Sequence, residues 1–105
     1  MCGIVAEFSL INRKPNMGLI RKMAHDIHHR GPDDEGYYEG DWYALGFKRL
    51  AILDLSRYGH QPMFDESNSF VITFNGEIYN YKEIRSQLIS LGYVFFSNSD
   101  TEVVL

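Results

Sequence analysis

At 105 residues, with 45% apolar and 23% charged side chains, the chain has the composition of one folded domain around one core. A net charge of -4 without any stretch gathering basic residues among aromatics excludes a nucleic-acid groove, and no apolar run approaches the roughly 20 residues that span a bilayer. The apolar opening carries Glu7 and no basic segment, so it is not a signal peptide, and one cysteine cannot build a disulfide framework, which makes the cytoplasm the default location.

In chain order, "GIVAEFSL" is short, apolar and branched, and reads as a buried strand ending at the "NRKPN" turn. Asn16 is placed to cap a helix from Met17 to His28, in which Met17, Ile20, Met23, Ala24 and Ile27 form one apolar stripe. Gly31 and Pro32 stop that helix within "HHRGPDDEG". "GYYEGDWYALGFKRLAILDL" is predicted as a hairpin of two extended runs split at Glu39-Gly40-Asp41, followed by a long polar loop, "SRYGHQPMFDESNS". "FVITFNGEIYN" reads as a strand, an Asn-Gly corner and a short second run. Asn80 and Glu83 then form an N-cap pair opening a helix with Ile84, Leu88 and Leu91 inward and Gly92 as its stop.

"YVFFSNSD" is predicted as a last strand, and Ser99 with Glu102 matches a capping box that starts a new helix in "DTEVVL". A helix of a turn and a half cannot nucleate or bury its face alone, so the sequence is expected to be the front part of something larger. No repeats or linkers interrupt it. The fold class that results is α+β, mostly antiparallel strands with interspersed helices.

The chemistry centres on Cys2. If Met1 is removed, the thiol and a free α-amino group belong to one residue, and that amine has an unperturbed pKa of about 7.7–8.0, suited to a general base near neutral pH. The bland alternative is a small residue starting a strand. Asn75-Gly76 is a strong hairpin signal, yet an amide and the next backbone N–H on a sharp turn are also two donors able to meet one oxyanion, each worth roughly 3–4 kcal/mol of barrier. Arg49 is either a surface charge at a strand end or a planar fork for a carboxylate, a geometry that Lys48 beside it lacks. Asp100 is either a helix-start acid or, with Ser99 filling the cap, a carboxylate free to meet an ammonium group. Together these suit an amino acid with a reactive amide. His25, His28 and His29 have zinc-compatible spacing on a helix, but no further ligand is evident and cationic His is favoured near a helix C-terminus anyway, so no metal is expected. His60 lies in a polar loop and carries no signal.

"MCGIVAEF", "HHRGPDDEG", "KRLAILDLS", "QPM", "FNGEIYNY" and "SDTEVVL", in this order, resemble the glutamine-hydrolysing asparagine synthetase family, and within it the N-terminal class II glutamine amidotransferase domain of the Ntn-hydrolase superfamily. The resemblance covers essentially the whole chain. It implies an αββα sandwich of antiparallel sheets between helices, of which residues 1–105 would be the N-terminal part, with the ATP-binding synthetase domain absent from this chain. It implies that Cys2 attacks the side-chain amide of L-glutamine and that its α-amino group relays the proton to the leaving ammonia. Asn75 and Gly76 would hold the oxyanion. Arg49 would bind the α-carboxylate, the backbone of Leu50 and Ile52 would line the pocket, and Glu77 and Asp100 would receive the α-ammonium. His29, Arg30 and Asp33 would form a structural loop near the site. The ammonia would pass to the synthetase domain for ATP-dependent asparagine synthesis from aspartate.

No cofactor is implied for the glutaminase step; ATP and Mg are implied only for the synthetase domain, and no phosphate-cradling motif occurs here. Implied partners are L-glutamine, the synthetase domain and, as one assembly option, a second copy in a homodimer, with no nucleic acid and no membrane. Two departures stand out: Phe47 occupies the position two before the binding arginine where many family members carry His, and the chain is about half the length of a complete glutaminase domain. The alternatives are a non-catalytic or incompletely folded fragment, and an amidotransferase with an acceptor other than aspartate.

Overall fold

The branched run after Cys2 forms β1 (Gly3–Phe8), which pairs antiparallel with β3 (Tyr43–Arg49), itself joined to β2 (Asp34–Glu39) through a tight turn in which Gly40 N–H donates to Tyr43 O at 2.8 Å. The computed structural model describes all of residues 1–105. The sheet order is β1-β3-β2, and the register places Val5, Gly46 and Tyr37 in one row across it. Helix α1 (Met17–Asp26) crosses that face. Asn16 caps it, accepting the Leu19 N–H at 3.1 Å, and Ile20 and Ala24 are buried against Val5 and Ala44, with Met17, Ile27 and Tyr37 packed around them. Gly46 lets the helix approach: a Cβ there would stand 2.6 Å from Val5 and 3.0 Å from Ile20.

The expected α1 was two residues too long. After Asp26 the chain tightens into a 3-10 turn, His28–Arg30, whose bonds run Arg30 N–H to Ile27 O and Gly31 N–H to His28 O. The tightening delivers Gly31 to the end of β3, against the backbone of Lys48 and Arg49. The second run of the hairpin also stops early, at Arg49 rather than Leu55.

The opposite face of the sheet is covered in part by a second element. The segment expected to be a plain polar loop contains a 3-10 turn (Arg57–Gly59) and β4 (Met63–Phe64), which pairs antiparallel with β5 (Val71–Ile72). Asp65 shapes the connection by accepting the N–H groups of Ser67 and Phe70 at 3.1 and 2.7 Å. Phe64 meets Tyr38 edge-on at 4.8 Å between ring centroids and so links the two sheets. Phe47, on this face, is 1% exposed and the largest fully buried side chain, so the departure at that position is a packing residue.

The C-terminal part departs most from expectation. Only Val71–Ile72 of "FVITF" joins a sheet, and no strand follows the Asn75-Gly76 corner, which therefore is not a hairpin turn. Helix α2 (Tyr81–Ser90) forms, but the Asn80 side chain makes no cap bond; its carbonyl accepts from Glu83 and Ile84 instead. Ile84 and Leu88 are half-buried and Leu91 is exposed, so the predicted inward face is incompletely covered. Gly92, at φ +98, ends the helix as expected. "YVFFSNSD" is irregular because its amides find side chains rather than a partner strand: Glu102 accepts from Phe96 and Ser97 at 2.8 and 2.7 Å. The Ser99 capping box is thereby replaced. Helix α3 (Thr101–Val104) starts from Asp100, while Ser99 Oγ pairs with Ser97 Oγ. The coarse expectation, α+β with antiparallel sheets and helices, holds.

Candidate active site

Cys2 sits just before β1, beside the end of β3, because Gly3 is opposite Lys48 in the ladder. Its Sγ accepts the Leu50 N–H at 3.3 Å and lies 3.6 Å from Leu50 O, so one residue brackets the half-buried thiol. A cavity of about 370 Å³ opens at this sulfur. Cys2, Arg49, Leu50, Ile52, Asn75, Gly76, Glu77 and Asp100 all line it, although they come from four separate stretches of chain. The structure thus brings together every residue that the resemblance implies for glutamine chemistry.

Arg49 is 8% exposed, which rules out the surface-charge reading. Its guanidinium donates from Nη1 to Ser56 O at 2.9 Å and from Nη2 to Asp54 O, so the loop after β3 cradles it. Gly59 makes room: a Cβ there would lie 2.0 Å from Nη2. Two of the five guanidinium N–H donors are held by these carbonyls, and the head group still borders the cavity.

The Asn75-Gly76 corner folds over Phe74, whose ring would be 2.7 Å from a Cβ at position 76. Asp100 is 5% exposed, and its Oδ2 accepts the Ile78 N–H at 2.9 Å. The expectation of a wholly free carboxylate is therefore corrected to one with a single oxygen engaged by backbone, which fixes its orientation beside the cavity. Arg49, Glu77 and Asp100 line the same space, which therefore has both a cationic and an anionic part to its lining.

Asp54 and Gln61 are among the lining residues that were not singled out from sequence. Asp54, 7% exposed, accepts the Ser56 N–H through Oδ1 and the Asn98 N–H through Oδ2, each at 2.7 Å. Hydrogen bonds from Ser56, then from the Asn98 N–H, and the Arg49 charge hold its pKa below the usual carboxylate value, against the opposing effect of burial. Gln61 is buried as well; its Oε1 accepts the Phe74 N–H at 2.6 Å and its Nε2 donates to Thr101 Oγ1 at 3.1 Å. The signals available were D-x-S, an Asx-turn pattern, for Asp54, and for Gln61 only a polar residue before Pro62.

Of the expected structural loop, Asp33 fits: its N–H donates to Arg49 O at 3.0 Å and its Oδ2 accepts the Ala51 N–H at 2.9 Å, flanking the Leu50 contact to the thiol. His29 and Arg30 are exposed, outside the cavity, and make no side-chain hydrogen bond. His25 and His28 are exposed too, and no group of three or more His, Cys, Asp or Glu side chains converges in an arrangement that could hold a metal ion. His60 is less inert than its loop suggested, since its Nδ1 meets Asp34 Oδ2 at 2.7 Å and ties the 3-10 turn to β2. No helix is long and apolar enough to cross a membrane.

Chemically, the cavity offers a thiol, amide and N–H donors at a corner, and charges of both signs fit for a small zwitterion. A family profile described as glutamine amidotransferase domain matches residues 1–105. The chain is 44% identical over 108 residues to asparagine synthetase [glutamine-hydrolyzing] 1 of Bacillus subtilis (strain 168), covering 100% of this chain and 17% of that protein. It is 39% identical over 108 residues to asparagine synthetase [glutamine-hydrolyzing] 2 of the same bacterium, covering 100% and 14%. It is 37% identical over 105 residues to the asparagine synthetase [glutamine-hydrolyzing] of Brassica oleracea, covering 99% and 17%. The chain therefore spans only about a sixth of the length of these curated relatives.

Proposed function

The chain belongs to the glutamine amidotransferase domain family, and from that premise we propose that it carries the glutamine-hydrolysing centre of a larger amidotransferase. The observation that carries this reading is the single cavity at the Cys2 sulfur, walled by Arg49, Asn75, Gly76, Glu77 and Asp100. Met1 is 72% exposed at its mouth, within reach of an aminopeptidase. Once Met1 is removed, the α-amino group of Cys2 becomes the general base that the thiol needs. The thiolate attacks the carboxamide carbon of L-glutamine. Asn75 and the Gly76 N–H stabilise the oxyanion, the amine passes its proton to departing ammonia, and water cleaves the thioester to glutamate. Arg49 receives the α-carboxylate, with the Leu50 and Ile52 backbone beside it, and Glu77 and Asp100 receive the α-ammonium.

We assign no ATP to this cavity. Its charged lining is one arginine against Asp54, Glu77 and Asp100, the wrong balance for a triphosphate. We place ATP and Mg with a synthetase domain of a longer polypeptide, where the ammonia would convert aspartate to asparagine; the relatives' printed names support this part of the reading. A cytoplasmic location, a homodimer and residues 1–105 as the N-terminal part of an αββα sandwich complete it. Support for the sandwich is that Ile4, Ala6 and Phe8 are exposed on the β1 face opposite α1.

Intact mass before and after an electrophilic glutamine analogue, with and without excess glutamine, tests the reading. The expected result is loss of Met1 and one adduct that glutamine suppresses, with adduct and glutamine turnover both abolished in Cys2→Ala. Turnover retained in Cys2→Ala would overturn it.

A further inference from the structure

Asp54 lines the cavity, and each of its carboxylate oxygens already accepts a backbone N–H. Oδ1 is occupied by the Ser56 N–H and Oδ2 by the Asn98 N–H, both at 2.7 Å. The first bond closes the 54–56 turn, and that turn presents the Asp54 and Ser56 carbonyls to the two Nη groups of Arg49. The second bond reaches 44 residues along the chain to a position two before Asp100. One buried side chain thus shapes the cradle of the cationic part of the lining and grips the segment carrying Asp100 of the anionic part. No other side chain in the structure hydrogen-bonds both of these segments. Gln61 joins Thr101 to Phe74 rather than to the Arg49 cradle.

We infer that Asp54 is a positioning residue that sets the span between Arg49 and Asp100, and so fixes selectivity for a substrate carrying both an α-carboxylate and an α-ammonium. This rests on the glutamine reading above. Asp54 touches neither the thiol nor the Asn75-Gly76 corner by any hydrogen bond, so it acts on recognition of the amino-acid end and leaves the bond-breaking end alone. The role requires a group that accepts on both sides. Asparagine, of the same shape, accepts with its oxygen only; its NH₂ must oppose one of the two backbone N–H groups, whichever way the amide is turned. The cradle and the Asn98 segment then cannot both be held.

The test is steady-state hydrolysis of L-glutamine by the purified protein with Asp54→Asn, alongside alkylation of Cys2 by iodoacetamide, a small electrophile without α-groups. The expected result is a KM for glutamine raised about tenfold, as befits loss of a charge-assisted hydrogen bond. kcat and the alkylation rate should stay within about twofold of the parent protein. Unchanged KM overturns the inference. So does a kcat that falls with the fraction of active protein while KM holds, because Asp54 would then serve folding alone. Should Asp54→Asn not fold, Asn98→Pro removes the N–H on Oδ2, with Asn98→Ala as the control for the lost side chain; the Pro variant must reproduce the KM effect and the Ala variant must not, and an unaltered KM in Asn98→Pro also overturns the inference. A parent protein that fails to hydrolyse glutamine marks failure of the underlying reading, a result distinct from all of these.

Discussion

Two regions of this chain are held together by different forces. Residues 3–49 form a layer of helix on sheet in which Val5, Ile20, Ala24 and Ala44 are packed out of water. Residues 71–104 contain a ten-residue helix with no buried side chain. They are held by directional bonds: Arg85 Nη1 to Ser97 O at 2.6 Å, Glu102 to the Phe96 and Ser97 amides, Asp54 to Asn98, and Gln61 to Phe74 and Thr101. The cavity lies on the border between the two. Its thiol and arginine are carried by the packed layer, and its corner and the Glu77 and Asp100 carboxylates by the hydrogen-bonded one. Apolar packing resists distortion from every direction, whereas a clasp made of single hydrogen bonds can be opened locally without unfolding the rest.

The largest effect is expected in the packed region. Ile20→Ala should lower global stability by about 3 kcal/mol in chemical denaturation, since Ile20 is fully buried against the sheet and its loss leaves a cavity. A loss below about 1 kcal/mol would mean that the layer is looser than its packing indicates. Gln61→Leu should cost less globally, about 2 kcal/mol, because it strands the Phe74 N–H and the Thr101 hydroxyl. Its stronger signature should be a drop in kcat for glutamine, as Phe74 leads directly into the Asn75-Gly76 corner. Equal global costs for the two variants would erase the contrast between regions.

The smallest effect is the response to acid. Because the pKa of Asp54 is lowered in the folded protein, its contribution is complete above the ordinary carboxylate range and is lost as pH falls through the lowered value. Hydrogen exchange corrected for intrinsic rates should therefore show protection at the Asn98 amide falling as the pH drops below the ordinary carboxylate range, while that of Gly46 in β3 persists. Parallel loss at both would show one cooperative unit instead of two.

The same division governs how much of the molecule could be read from its sequence. β1, α1 and the β2–β3 hairpin were legible because apolar periodicity, an Asn cap and a Gly-containing turn all record local physics, and these elements bury what they predict. "YVFFSNSD" misled because aromatic and branched residues favour a strand only when another strand is there to pair with. Here Glu102, a few residues on, takes two of its amides. The Asn75-Gly76 corner misled in the same way, as a hairpin signal with no second strand. At the site, Cys2, Arg49, Asn75 and Asp100 were legible by chemistry, as residue types suited to a reaction. Asp54 and Gln61 were not, since what matters about them is which backbone amides they meet 13 and 44 residues away.

Gly31 marks how little latitude this arrangement leaves to mutation. A Cβ at that position would lie 2.4 Å from the carbonyl carbon and oxygen of Lys48 and 2.5 Å from that of Arg49, all backbone atoms that cannot swing aside. Every other amino acid brings at least that carbon, so any missense change at this codon wedges apart the strand end that carries both the arginine and the thiol's neighbour. Genetic variation can adjust the cavity from within its lining, but at this point of the scaffold behind it no substitution is neutral.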